Sequence, residues 1–316
     1  MASLRFSIAL TNKSSGDTIH KTNETEGSIV VPHFEEVHIE NTNSCGYKCV
    51  MCPRESQTRS LGYMSLEDFS LVLTKVAPFD QTFHLHGFGE PLLDRKLPLK
   101  LQELKKRIPT STASIFSTLG VRVKEDHFHE LLHSGLDLLI ISFYGFTKEE
   151  YQRVHGFDGF HLAKKNLKLL SEAKKQFPKF HAVFKVPAST LSPLALLETQ
   201  EKLSICHWVK ELGFEIREWT YLHNYSSGRS YNAPEPNKLC PVIHGRRRGI
   251  LNITWDLNVI PCCYDFNATI PFGNLRHQSL YEIFTSPAYL QFLIAHKNGE
   301  LSSYPVCQNC EKNDYS

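Results

Sequence analysis

The chain has 316 residues, of which 41% are hydrophobic and 22% charged, so it is long enough to bury a sizeable core. Its 35 Lys and Arg against 33 Asp and Glu give a formal net charge of +2, which predicts no bulk attraction to nucleic acid or to membrane surfaces. No apolar run approaches the roughly 18 residues of a membrane span, and the first residues lack a signal-peptide layout, so we expect a cytoplasmic protein without membrane or nucleic-acid partners.

From residue 35 onward, short β-rich runs alternate with longer helical patterns, which indicates βαβ units and a parallel sheet. Helices are predicted between the strands, for example at 65–76, where Ser65 and Asp68 have capping-box spacing, and at 160–175. The pattern favours an α/β fold, a partial (β/α)6 TIM-like barrel with its functional residues at the carboxyl ends of the strands. The six predicted strands are 36–40, 82–86, 113–117, 138–142, 181–186 and 215–220.

Three segments are predicted along the chain. Residues 1–34 form an arm or an extra strand, 35–224 form the barrel, and 225–316 form a linker followed by a small cysteine-rich lobe. The boundary is placed where 225–238 becomes rich in Ser, Asn, Gly and Pro. In the lobe we expect a hairpin around 256–258 and a helix at 279–296.

The nine cysteines cluster at short spacings in a chain without a secretory signal, which favours metal ligands or catalytic thiols over disulfides. Cys45, Cys49 and Cys52 occupy an eight-residue loop after the first predicted strand. Because a 4Fe-4S cluster normally takes four cysteines, three thiolates leave one iron open to an external ligand. A zinc site completed by a distant residue, or structural thiols, are the alternatives.

The C-x3-C-x2-C spacing after the first strand resembles the signature of the radical S-adenosylmethionine (SAM) superfamily. The segment 84–93, HLHGFGEPLL, resembles that family's Gly-Gly-Glu-Pro segment, with Phe88 in place of the first glycine. The turns at 117–120 and 142–145 resemble the family's third and fourth strand ends more loosely. The resemblance covers roughly residues 35–218 and implies the radical SAM barrel.

The resemblance implies a 4Fe-4S cluster held by Cys45, Cys49 and Cys52. Its open iron would chelate SAM, and electron transfer would release a 5′-deoxyadenosyl radical that takes hydrogen from the substrate. A donor such as flavodoxin or ferredoxin would supply the electron. Glu90 would accept hydrogen bonds from the SAM ammonium, as a carboxylate does well in a water-poor site. The residues implied to lie against SAM are Met51, Gly87, Gly89, Glu90, Ser117 and Ser142.

Five further cysteines lie in the C-terminal segment, and Cys307-Gln-Asn-Cys310 has the spacing that chelates a metal from a tight turn. Spacing alone does not separate iron from zinc there. The segments 256–265, 272–274 and 307–310 resemble the SPASM or shorter twitch extension of radical SAM enzymes, which implies one auxiliary 4Fe-4S cluster. The implied ligands are Cys240, Cys262, Cys307 and Cys310, with Cys263 as the alternative to Cys262.

An auxiliary cluster near the substrate can accept an electron, so the implied chemistry is oxidation of a small molecule, such as a sugar or aminocyclitol alcohol. Peptide modification and a non-catalytic metal-binding protein are the alternatives. His84 and His86 share one face of the second predicted strand and are candidate proton acceptors, with Tyr144 as a further catalytic candidate. Packing roles for all three stay open.

Overall fold

The computed structural model of the protein describes residues 32, 34–77, 82–187, 200–219, 223, 225–226 and 249–310. Among these residues, one nine-stranded sheet organises the fold, in the order β6-β5-β4-β3-β2-β1-β7-β8-β9. The strands are β1 (Glu36–Ile39), β2 (Thr82–His84), β3 (Thr112–Ser117), β4 (Leu138–Ser142), β5 (His181–Pro187), β6 (Glu215–Trp219), β7 (Ile250–Ile253), β8 (Asn258–Ile260) and β9 (Gly273–Asn274).

Strands β1 to β6 pair in parallel with their sequence neighbours. Helices connect successive strands, so the predicted partial α/β barrel is confirmed. Ser65 caps the first helix as predicted, because its Oγ accepts the Asp68 N–H at 2.9 Å. The helices are α1 (Leu66–Val76), α2 (Leu97–Arg107), α3 (His127–His133), α4 (Lys148–His155), α5 (Phe160–Lys174), α6 (Gln200–Glu211), α7 (Leu280–Phe284), α8 (Pro287–Asn298) and α9 (Pro305–Gln308), with 3-10 turns at Pro53–Ser56 and Pro91–Leu93.

The strands present two different faces, because successive side chains of a strand point to opposite sides. On β1 and its neighbour β2, Val37, Ile39 and Phe83 have no exposed surface and belong to the main hydrophobic core. The alternate positions on the same strands carry Glu36, His38 and His84, whose side chains face the barrel interior. The core therefore lies between the sheet and its helices, and on β1 and β2 the inward positions are polar.

The C-terminal segment continues the barrel sheet. Strand β7 pairs in parallel with β1, and β8 and β9 add antiparallel strands beyond it. The predicted hairpin is confirmed by the β7–β8 pairing, whose turn places Leu257 at φ 71°. The predicted linker lies outside the described residues apart from Tyr225 and Ser226, and so does the predicted arm at 1–34 apart from Pro32 and Phe34.

The prediction of a single helix at 279–296 is wrong, because the structure has the two helices α7 and α8 there. Ser286 starts the second helix by accepting the Tyr289 N–H on its Oγ at 3.2 Å. Pro287 follows at the first turn, where its missing N–H costs nothing. Among the described helices, none combines the length and the apolar character needed to cross a membrane.

Candidate active site and metal centres

Cys45, Cys49 and Cys52 lie in the loop that follows β1, and all three line a cavity of about 470 Å³ at the carboxyl ends of the strands. Burial raises the pKa of the Cys45 thiol to about 12 and that of Cys49 well above its ordinary value. Metal loading must therefore displace protons from both thiols. Three convergent sulfurs facing one cavity fit a cluster that keeps one iron open to a small ligand.

The end of α4 holds the cysteine loop in place. The N–H groups of Lys48 and Val50 donate to the carbonyls of His155 and Val154, at 3.0 and 2.9 Å. Gly156 ends the helix in the left-handed region at φ 64°, and a Cβ there would stand 2.6 Å from the Lys48 carbonyl oxygen. Only glycine allows this contact between helix end and loop.

His155 contacts the sulfur of a predicted cluster ligand. Its Nε2 accepts the backbone N–H of Tyr144 at 3.1 Å, so this nitrogen carries no proton. Burial lowers the His155 pKa to about 3, and the ring is therefore neutral near neutral pH. Its proton must then lie on Nδ1, which is 3.3 Å from the Cys49 Sγ and donates to it. Tyr144 and Tyr151 pack against the ring, at centroid distances of 5.3 and 4.1 Å.

Gly87 and Gly89, the two glycines predicted to lie against SAM, let the loop after β2 pack closely against neighbouring residues. A Cβ on Gly89 would stand 2.3 Å from the Thr42 carbonyl oxygen, in the segment leading to the cysteines. A Cβ on Gly87 would stand 2.5 Å from the Cγ of Glu40. The neighbouring Glu90 N–H donates to the Ser44 carbonyl at 2.8 Å. These contacts fix the loop after β2 against the cysteine loop.

Glu90 lies in the cavity wall with 2% of its surface exposed. Its carboxylate accepts hydrogen bonds from the Ser117 Oγ (2.7 Å), from the Thr118 N–H and Oγ1 (both 3.0 Å), and from the Leu92 N–H (3.2 Å). Burial nevertheless raises the pKa of Glu90, because the desolvation exceeds the effect of these donors. Glu90 thus ties the end of β3 to the loop after β2, and its contact with the SAM ammonium stays a prediction.

The predicted catalytic residues occupy two different levels of the barrel. His86 and Tyr144 line the cavity, together with Met51 and Ser142 from the predicted SAM side. His84 lies deeper, where its Nδ1 is 2.5 Å from the Ser114 Oγ, and the cavity lining in the described part of the chain does not include it.

The predicted auxiliary ligands are described in part. Cys240 lies outside the described residues. Cys263 lines the central cavity, whereas Cys262 is not part of that lining as far as the chain is described. Cys307 and Cys310 lie at the end of α9, where the Cys310 N–H donates to the Cys307 carbonyl at 3.2 Å. The choice between Cys262 and Cys263 stays a prediction.

Several polar residues of the site escaped prediction from sequence. Glu40 is buried at the end of β1 and forms a bidentate ion pair with the Arg59 guanidinium, at 2.8 and 2.9 Å. Its carboxylate also accepts hydrogen bonds from the Phe88 and Trp255 N–H groups, both at 3.2 Å. The alternation Glu36-x-His38-x-Glu40 was an available signal, because it puts three polar side chains on one face. His155 gave no signal, since it lies 106 residues from the cysteine that it contacts.

Two parts of the chain match models of known protein families. Residues 39–187 match the model of the radical SAM superfamily, and residues 240–311 match SPASM, an iron–sulfur cluster-binding domain. The tungsten-containing aldehyde ferredoxin oxidoreductase cofactor-modifying protein of Pyrococcus furiosus is 24% identical, over 88% of this chain and 87% of its own length.

Another relative is the S-adenosyl-L-methionine-dependent 2-deoxy-scyllo-inosamine dehydrogenase of Niallia circulans, 22% identical over 88% of this chain and 92% of its own length. The crystal structure of BtrN in complex with AdoMet and 2-DOIA superposes with a TM-score of 0.58 and 19% identity, covering 90% of this chain and 98% of that one. At this identity the likeness shows a shared fold.

Proposed function

Because this chain belongs to the radical SAM superfamily and carries a SPASM domain, and thus binds SAM, a 4Fe-4S cluster and an auxiliary cluster, we propose that it oxidises an alcohol of a small polar molecule. The observation that carries the proposal is the cavity of about 470 Å³, which is lined both by the three cysteines and by ionisable side chains. The first cluster and SAM share this cavity with the substrate, and the space left beside them suits a small molecule. A relative that acts on an aminocyclitol, aligned over 88% of the chain, supports the same substrate class.

When bound, the first cluster and SAM would supply the radical that removes a hydrogen atom from the substrate carbon, and the auxiliary cluster would supply an acceptor for the second electron. The chain itself must accept the hydroxyl proton. Lys185 suits this task, because it lines the cavity and burial lowers its pKa from the ordinary 10.5. Burial and the neighbouring His38 and His84 lower the pKa of His86 well below 6.5, which makes His86 a hydrogen-bonding group more than a base. The alcohol thus loses one hydrogen atom, one electron and one proton to become a ketone.

The first test is of the cluster assignment. Anaerobic reconstitution should give about eight irons per chain, as two 4Fe-4S clusters require, and dithionite with SAM should yield 5′-deoxyadenosine. Cys49→Ala should lose about four irons and all SAM cleavage. Cys310→Ala should keep the first cluster and some cleavage uncoupled from product. Cleavage that persists in Cys49→Ala would refute the assignment.

The second test is of the substrate class. Aminocyclitols and sugars carrying deuterium on the alcohol carbon should transfer it to 5′-deoxyadenosine, with a product two hydrogens lighter. If peptides stimulate cleavage and take part in the transfer while the alcohols do not, the enzyme is instead a peptide-modifying one. We also propose that a flavodoxin or ferredoxin takes the place of dithionite in the cell.

A further inference from the structure

The barrel interior below the cavity is unusually polar. Interiors of such barrels are commonly filled with layers of Val, Ile and Leu. Here His38 and His84 are register partners on the adjacent strands β1 and β2, and Glu36 lies two residues before His38 on the same face. These three ionisable side chains replace a packed aliphatic layer. Departures of this kind from the usual packing of a core concentrate at functional sites.

The three side chains converge on one point. The Glu36 Oε2 lies 3.2 Å from the His38 Nε2 and 3.6 Å from the His84 Nε2, and the three atoms lie within 4.8 Å of one another. A tetrahedral ion with bonds of about 2.0–2.1 Å separates its ligand atoms by roughly 3.3 Å. The Glu36–His38 and Glu36–His84 separations both lie within a few tenths of an ångström of that spacing.

The orientation of His84 also suits metal binding. The Nδ1 of His84 is held by the Ser114 Oγ, which leaves its Nε2 facing Glu36. Metal-binding histidines are usually fixed in this way through the other ring nitrogen.

His86 provides an independent observation. Its ring centroid lies 5.5 Å from those of both His38 and His84. Its Nδ1 is buried and has no hydrogen-bond partner in the described part of the chain. A buried polar atom without a partner destabilises the fold, and a ligand in this space would offset that cost.

We propose that Glu36, His38 and His84 bind one divalent metal ion, such as Zn²⁺, at the floor of the cavity. His86 then lies beside the coordination position that these three ligands leave open. Two imidazoles and one carboxylate are a donor set that zinc and ferrous iron accept. The proposed ligands include no cysteine, and the site does not depend on the proposed oxidation.

The experiment uses the full chain with both clusters reconstituted, incubated with Zn²⁺ and desalted. We expect about one zinc per chain, with X-ray absorption showing only nitrogen and oxygen neighbours at about 2.0–2.1 Å. Sulfur neighbours at about 2.3 Å would assign the zinc to cysteines and overturn the proposal, as would the absence of retained zinc.

Variants make the test specific. His84→Gln and Glu36→Gln should each weaken zinc binding at least tenfold while iron content and circular dichroism stay unchanged. His129→Gln, which changes an exposed histidine, should bind zinc like the unmodified protein. Equal zinc binding in His84→Gln and the unmodified protein would overturn the site. If either variant fails to fold, His38→Gln tests the same site, and zinc binding equal to that of the unmodified protein would overturn it.

Discussion

His155 is a single residue with a defined electronic consequence. Its Nδ1–H donates to the Cys49 sulfur, and hydrogen bonds to ligand sulfurs are among the factors that set the potential of an iron–sulfur cluster. The donor favours the reduced cluster because the sulfurs then carry more negative charge. The tautomer is fixed from the other side of the ring by the Tyr144 N–H.

We therefore expect His155→Leu to lower the midpoint potential of the first cluster. The loss of a hydrogen bond worth about 1 kcal/mol corresponds to roughly 40 mV for one electron. Electron paramagnetic resonance during a redox titration measures the shift directly. Tyr151→Phe changes a side chain packed on the same ring without touching the sulfur, and it should leave the potential unchanged. An equal shift in both variants would indicate a packing effect.

The loops that follow β1 and β2 act as one element. Their glycines differ in whether an added Cβ would meet a neighbouring atom. In Gly89→Ala the new Cβ would meet the Thr42 carbonyl oxygen at 2.3 Å and push the loops apart. Gly46 lies within the cysteine loop and does not adopt positive φ, and a Cβ added to it would have no neighbouring atom within 4 Å. Gly46→Ala is therefore the matched control.

We expect Gly89→Ala to hold about four irons per chain in place of about eight, because the first cluster loses its loop while the auxiliary cluster stays. Gly46→Ala should keep all eight. Iron and sulfide analysis after parallel reconstitution measures both. Full iron content in Gly89→Ala would show that the contact between the loops is dispensable for the cluster.

Prediction from sequence succeeded where the signal is local. Strand periodicity gave the six parallel strands, and the Ser65–Asp68 spacing gave the start of α1, because both depend on residues a few positions apart. The prediction of one helix at 279–296 was wrong because the apolar pattern of the sequence continues across Pro287, where the second helix begins. The His155 contact and the parallel pairing of β7 with β1 depend on distant segments, and no local pattern encodes them.

The pairing of β7 with β1 determines how the whole molecule unfolds. The C-terminal segment shares a sheet with the barrel, and Leu251, in register with Val37, is 1% exposed. We expect one cooperative transition in urea, in which far-ultraviolet circular dichroism and cluster absorbance change together. Leu251→Ala should lower the free energy of unfolding by about 2–5 kcal/mol and shift both signals equally. Two separate transitions would show that the barrel and the C-terminal segment are independent.

The same pairing has a consequence for synthesis of the chain. Strand β1 leaves the ribosome before the other strands of the sheet, yet its partner β7 is made only after all the barrel strands. Until then the edge of β1 presents unpaired backbone groups, which can pair with other chains. Contacts between segments so far apart also form slowly, because a long loop must close first. We expect the nascent barrel to need shielding by chaperones until its last strands arrive.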